Sequence, residues 1–265
     1  MYYQKFKRDA KVSRCNLCLE EKLLSWDHVP PKGGIDLSVV EQETVLQNLT
    51  VPEENKKYSL SQNGVKYRTV CKECNEILGS DFDVELNNFA LCVKDFLSLV
   101  TVLPDVKLFK IKPNKIIKSI FGHLLVAKVG LENTKVDKGL RAYYFDKIQK
   151  TENKFRIFYW FYPYQNFVVI RDICMTAIRG KLGDYGIFSI LKYYPIAYLV
   201  TDLENYSNLN EFTEYASENI EDEKDVLIHF NRIKYPDWPE RVDQNNIVFG
   251  GQSVSSSVVA SPRKF

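Results

Sequence analysis

The chain has 265 residues, 45% hydrophobic and 26% charged, close to ordinary globular proteins and far from disordered, collagenous or membrane compositions. That length supports one or two domains with a sizeable core. Lys and Arg outnumber Asp and Glu by 36 to 34, so a net charge of +2 excludes a nucleic-acid binder recognisable by charge alone, and any such activity must be argued from a site. No uncharged apolar run approaches the ~18 residues of a membrane span, and the N-terminus MYYQKFKRDAKVSRC alternates charge with aromatics instead of building a signal peptide. The expected location is cytoplasmic, with no membrane partner.

The first motif is Cys15-x-x-Cys18, and its spacing recurs at Cys71-x-x-Cys74. A reducing compartment and a chain of this size argue against a disulfide framework. Two residues between ligands let the backbone turn tightly enough to offer both thiolates to one ion, which suits a tetrahedral four-cysteine Zn²⁺ site. Cys92 and Cys174 stand apart in apolar stretches.

Between the knuckles runs Ser25-Trp26-Asp27-His28-Val29-Pro30-Pro31-Lys32, holding one of only three histidines. Asp27 can hold a hard divalent cation through oxygen, and Pro30-Pro31 takes the backbone out of any sheet ladder. Neighbours in a strand point to opposite faces, so Asp27 and His28 can address one substrate only where the strand ends and twists. The Pro-Pro supplies such an end. Further on, 58–62 and 65–70 flank Asn63-Gly64, which predicts a hairpin closed by a type I′ turn. Asn75 follows the second knuckle where a helix would start, as an oxygen ligand or as an N-cap.

The order Cys-x-x-Cys, Asp-His, Cys-x-x-Cys-Asn resembles the HNH (His-Me finger, ββα-metal) endonucleases, in particular the subgroup with a four-cysteine structural zinc, and Asp27-His28-Val29-Pro30-Pro31-Lys32 looks like their (E/D)HxPPK signature. The resemblance covers roughly residues 12 to 80. It implies that Cys15, Cys18, Cys71 and Cys74 hold Zn²⁺, that Asp27 and Asn75 hold a catalytic Mg²⁺ or Mn²⁺, that His28 is the general base and that Lys32 contacts substrate. The implied activity is hydrolysis of phosphodiester bonds in nucleic acid, DNA rather than RNA, in a bacterial anti-phage setting, with room for a regulatory protein partner. One departure is the family's middle Asn: the stretch before the second knuckle reads Lys66-Tyr67-Arg68-Thr69-Val70, and the nearest equivalent, Asn48-Leu49-Thr50-Val51-Pro52, lies far upstream. That Asn is displaced or absent. The rival reading is a non-catalytic zinc module that binds nucleic acid or a protein.

Beyond the motif, Ser80 is the expected N-cap of a helix carrying Phe82, Leu86, Phe89, Val93, Phe96, Leu97 and Val100 on one face. Asp81, Asp83 and Glu85 read as first-turn acids favoured by the helix dipole, and Cys92 as a small buried residue. Lys107, Lys110, Lys112, Lys115 and Lys118 fit either a phosphate-tracking patch or an edge strand followed by a helix start. That helix, 114–129, carries His123 as a core or packing residue. Segments 154–163, 166–171, 187–195 and 196–202 read as strands of a mainly antiparallel sheet. Exposed aromatics there would stack bases, but residues 155–162 are apolar on both faces and read as a buried strand. Residues 208–220 are a helical candidate, 218–225 are acidic, His229 sits in a strand without a role, and the chain from Gly250 reads as a weakly structured tail. The expected fold class is α+β, with an HNH module at 1–85, an α+β substrate- or partner-binding domain at 86–245 and a flexible tail at 246–265.

Overall fold

β1 (Val12–Arg14) and β2 (Glu21–His28) pair antiparallel around the first cysteine knuckle. The chain continues through a 3-10 turn at Lys32–Gly34 to β3 (Val40–Thr44), helix α1 (Val45–Thr50) and β4 (Ser59–Ser61). β5 (Lys66–Cys71) returns to pair with β2, and α2 (Lys72–Ile77) begins at the next residue. A π-helical segment, Leu78–Asp83, joins α2 to α3 (Val84–Leu99) without a break. Then come β6 (Val106–Ile111), α4 (Pro113–Val126), α5 (Lys135–Phe145), β7 (Arg156–Phe161), β8 (Phe167–Thr176), β9 (Tyr185–Tyr193), β10 (Ile196–Thr201), β11 (Asn210–Glu211), β12 (Lys224–His229) and β13 (Val258–Pro262). This computed structural model describes residues 6–34, 39–146, 154–176, 185–240 and 255–263.

The strands form a three-stranded sheet β1-β2-β5, a pair β12-β6 and an eight-stranded sheet in the order β11-β7-β10-β9-β8-β13-β3-β4. Ladders between the strands are antiparallel, so the fold is mixed α and β with mainly antiparallel sheets, as the sequence predicts. On β7, Ile157, Tyr159 and Phe161 join one apolar cluster while Phe158 and Trp160 join another. Alternate side chains leave a strand on opposite faces, so both faces of the sheet are covered. This explains why 157–162 is apolar or aromatic on both faces and removes its aromatics from base stacking. In α4 every residue except Lys115 is buried, because the helix is enclosed on all sides.

Several expectations are corrected. Asn63 (φ 62°) and Gly64 (φ 75°) do form a left-handed turn, but β4 pairs with β3 and β5 with β2, so the turn passes the chain between two sheets and closes no hairpin. Ser80 caps nothing: the helix begins after Cys71, and Ser80 lies in the π segment with its hydroxyl on Asp81. Asp83 directly precedes α3, but the helix runs unbroken through it, and its side chain is buried and caps nothing. Cys92 is exposed on α3. Residues 208–220 hold β11 and a 3-10 turn instead of an α-helix, with Phe212 fully buried beside β7. Of the expected tail, 258–262 form β13 in the interior of the large sheet. The expected boundary after residue 85 falls inside α3. β3 and β4 from before it share a sheet with β7 to β11 from after it.

Three of the five lysines of 105–118 meet the acidic stretch. Lys110 meets Glu223 at 3.1 Å, while Lys112 and Lys115 meet Glu221 at 2.9 and 2.7 Å. Lys118 is buried and donates to the carbonyls of Tyr144 (2.8 Å) and Asp146 (2.5 Å). The edge strand and helix start account for these residues.

Candidate metal and catalytic site

The four expected cysteines converge. Cys15 and Cys18 flank a tight turn with Leu19 at φ 66°, Cys71 ends β5 and Cys74 lies in α2. Their sulfurs all lie within 4.8 Å of one another, with Cys18 and Cys71 4.0 Å apart. Thiolates about 2.3 Å from a tetrahedral ion would be about 3.8 Å apart, so the spacing fits a metal such as zinc and leaves no open position on it. The Cys71 N–H also donates to Cys15 Sγ at 3.3 Å. A hydrogen bond from Cys74, with backbone N–H groups of the knuckles, pulls the Cys15 thiol down to about 5 against burial. Burial pushes Cys71 up to about 12, and the bond Cys74 gives to Cys15 pushes Cys74 up as well. One thiolate is thus preferred until a cation displaces the other protons.

The knuckle is anchored to α4. Asn16 Nδ2 donates to the carbonyls of Leu125 and Lys128, both at 2.7 Å, and Thr69 Oγ1 to that of Val126 at 2.6 Å. These are carbonyls that the end of a helix leaves without partners. The knuckle and β5 are thereby held against the last turn of α4.

Asp27 and His28 close β2. The ladder slips between Ser25 and Asp27, where a bulge interrupts the pairing with β5. Asp27 turns inward and is buried, His28 is half-buried, and Trp26 before them is 47% exposed. Asn75 Nδ2 donates to Ser25 Oγ (3.2 Å) and to the Trp26 carbonyl (3.0 Å), which brings α2 against the peptide that leads into Asp27. Asn75 is no N-cap, since that position belongs to Cys71. The Asn63 backbone faces the His28 ring and favours its charged form. Nε2 is buried without a partner among the described residues. In the neutral imidazole an unprotonated Nε2 would be the accepting nitrogen. Burial, with Lys66 and Lys32 nearby, lowers its pKa below the usual 6.5.

The expected roles around His28 are partly redistributed. Asn48 donates to Glu43 at 2.7 Å on α1, and the turn at Asn63 supplies the support for His28 from its main chain. Lys32 is exposed on the 3-10 turn after the Pro-Pro. Arg68 lies over the Trp26 ring at 5.6 Å.

Sequence reasoning misses what lies beneath Asp27. His123 on α4 is fully buried; its Nε2 is 2.8 Å from Asp83 Oδ1, and its Nδ1 is 3.6 Å from Asp27 Oδ2. Ser119, one turn earlier on α4, donates to the same Asp83 oxygen at 2.6 Å. Burial, reinforced by Asp83 and opposed by His123, pushes Asp27 up to about 7. Burial alone would lower His123, but Asp83 and Asp27 outweigh it and raise it. The available signal is a histidine inside the apolar run 120–126, because a buried ring nitrogen demands a partner.

Comparison of the chain with protein-family models, curated proteins and solved structures finds no match in any of the three. Among the described residues, no helix is long and apolar enough to cross a membrane.

Proposed function

We propose that the chain is a metal-dependent endonuclease of the HNH type, hydrolysing phosphodiester bonds of nucleic acid, DNA before RNA. The four cysteines hold a structural Zn²⁺ in this reading, and Asp27 and Asn75 hold a catalytic Mg²⁺ or Mn²⁺. One observation carries it: His28 ends β2 with a buried Nε2 that has no hydrogen-bond partner among the described residues, directly after the buried carboxylate of Asp27. That is the arrangement a general base needs, and such a base contributes about 10²- to 10⁴-fold. The metal ion would supply Lewis-acid stabilisation to the phosphate and the leaving 3′-oxygen. Lys32 offers charge to a phosphate, and the exposed face of Trp26 beside Arg68 offers a surface for an unpaired base.

The test is cleavage of supercoiled plasmid by the purified chain in Mg²⁺, Mn²⁺ or EDTA, with His28→Ala alongside and zinc quantified in both. Nicking that needs the divalent ion and falls at least about 100-fold in His28→Ala, with zinc retained, is expected. Undiminished cleavage by a folded His28→Ala protein overturns the role of His28. No cleavage in any lane, with zinc bound, favours the non-catalytic zinc module.

A further inference from the structure

Buried polar groups need partners, and the surroundings of His123 leave two without any. Asp83 Oδ1 accepts from Ser119 and faces His123 Nε2, so Nε2 carries the proton of a neutral ring and Nδ1 is a bare acceptor. That Nδ1 faces Asp27 Oδ2, and both atoms are buried without hydrogen-bond partners among the described residues. Two acceptors pointed at one another repel unless a proton or a metal cation lies between them.

The separation leaves room for a metal ion. At 3.6 Å the pair is beyond hydrogen-bond range. Two bonds of about 2.1 Å meeting at about 120° span about 3.6 Å, so one divalent ion satisfies both atoms. Charge points the same way, since Asp27 and Asp83 are 8% and 7% exposed and share a single imidazole. The charged groups acting on Asp27 are His123 and Asp83, with no lysine or arginine among them. An imidazole that binds a metal through one nitrogen commonly gives the other N–H to a carboxylate. Asp83 stands in that place.

We propose that His123 Nδ1 is a further ligand of the divalent ion held by Asp27, that Asp83 positions the ring, and that the site takes Mn²⁺ or another imidazole-accepting ion in preference to Mg²⁺. The proposal rests on the reading of Asp27 as a metal ligand. Imidazole suits transition ions, whereas Mg²⁺ favours oxygen. The site then joins β2 to α4, a helix outside the stretch that resembles the HNH family.

The experiment uses Mn²⁺ as the probe on zinc-replete full-length protein. A His28→Ala, His229→Gln double variant retains His123 as the last of the three histidines and is labelled with ¹⁵N in histidine alone. Pulsed electron paramagnetic resonance of bound Mn²⁺ should show a directly ligated ¹⁵N. Asp83→Asn should weaken Mn²⁺ binding about 10- to 100-fold with zinc content unchanged, and Asp27→Asn should abolish it. Mg²⁺ should compete poorly. Mn²⁺ bound in an Asp27-dependent way without nitrogen coupling overturns the role of His123 and leaves the endonuclease reading standing. If neither the wild type nor the double variant takes up Mn²⁺ beyond the zinc, both fall. The resonance reads His123 itself, so the outcome does not depend on whether a buried His123 substitution folds.

Discussion

Burial, Lys66 and Lys32 all favour the neutral form of His28, and only the Asn63 backbone offsets them among its larger influences. A base must be unprotonated to act, so rate should rise with pH through the folded-state pKa and reach its plateau above it. Because that pKa is below 6.5, the acid limb of kcat/KM is expected below pH 6.5. Lys66 is the largest charged contributor. Lys66→Gln should therefore move the limb upward toward 6.5, whatever it does to the plateau. Profiles of kcat/KM against pH for the two proteins decide it, and an unmoved limb would detach Lys66 from the base. The candidates Asp27, His28 and Asn75 were legible because each belongs to a short window of distinctive spacing. Asp83 and His123 were not, because helix packing brings them together across a separation of 40 residues.

At the scale of elements, α4 fits against the π segment and α5 at one glycine. A Cβ at Gly122 would lie 2.6 Å from Leu78 Cδ1 and 3.1 Å from Tyr144 Cε2. Leu78 is fully buried and Tyr144 nearly so, which limits their retreat. Gly122→Ala is expected to cost about 1–3 kcal/mol through overpacking, less up to about 1 kcal/mol from better helix propensity. Urea unfolding should show a lower midpoint with an unchanged slope, and a higher midpoint would refute the packing account. The elements the sequence revealed are those with local signatures. Aromatic and β-branched runs disclosed β7 to β10, and Asn63-Gly64 disclosed its turn. Which strands that turn serves was hidden, since pairing is set by distant chain. α5 went unnoticed although Thr134 and Asp137 form a capping box before Val136 and Leu140. Residues 208–220 read as helical, yet Phe212 fills the core between β7 and the Thr213–Tyr215 turn.

Across the whole molecule, the strand least visible in sequence, β13, closes the large sheet. It lies between β3 and β8, pairing Val258 with Thr44 on one side and with Val169 on the other. Its approach reaches the candidate site, for Tyr67 donates through its hydroxyl to the Ser256 carbonyl at 2.6 Å, and Tyr67 stands opposite Asp27 in the ladder. A serine-rich stretch carries no strong strand signal of its own, so its order comes from waiting partners on both edges. Removing it would expose two rows of ladder groups and the apolar surface that Val258 and Ala260 cover. Ladder hydrogen bonds contribute about 1 kcal/mol each and burial of a valine about 1.5–3 kcal/mol. Together these are a large share of the roughly 5–15 kcal/mol that holds a folded domain. A chain ended after residue 254 is therefore expected to lose its cooperative thermal transition and to aggregate through the bared edges of β3 and β8. A synthetic peptide of residues 255–265 should restore the transition by adding the missing strand. A truncated chain that melts within a few degrees of the full one would show that the two halves of the sheet stand without β13.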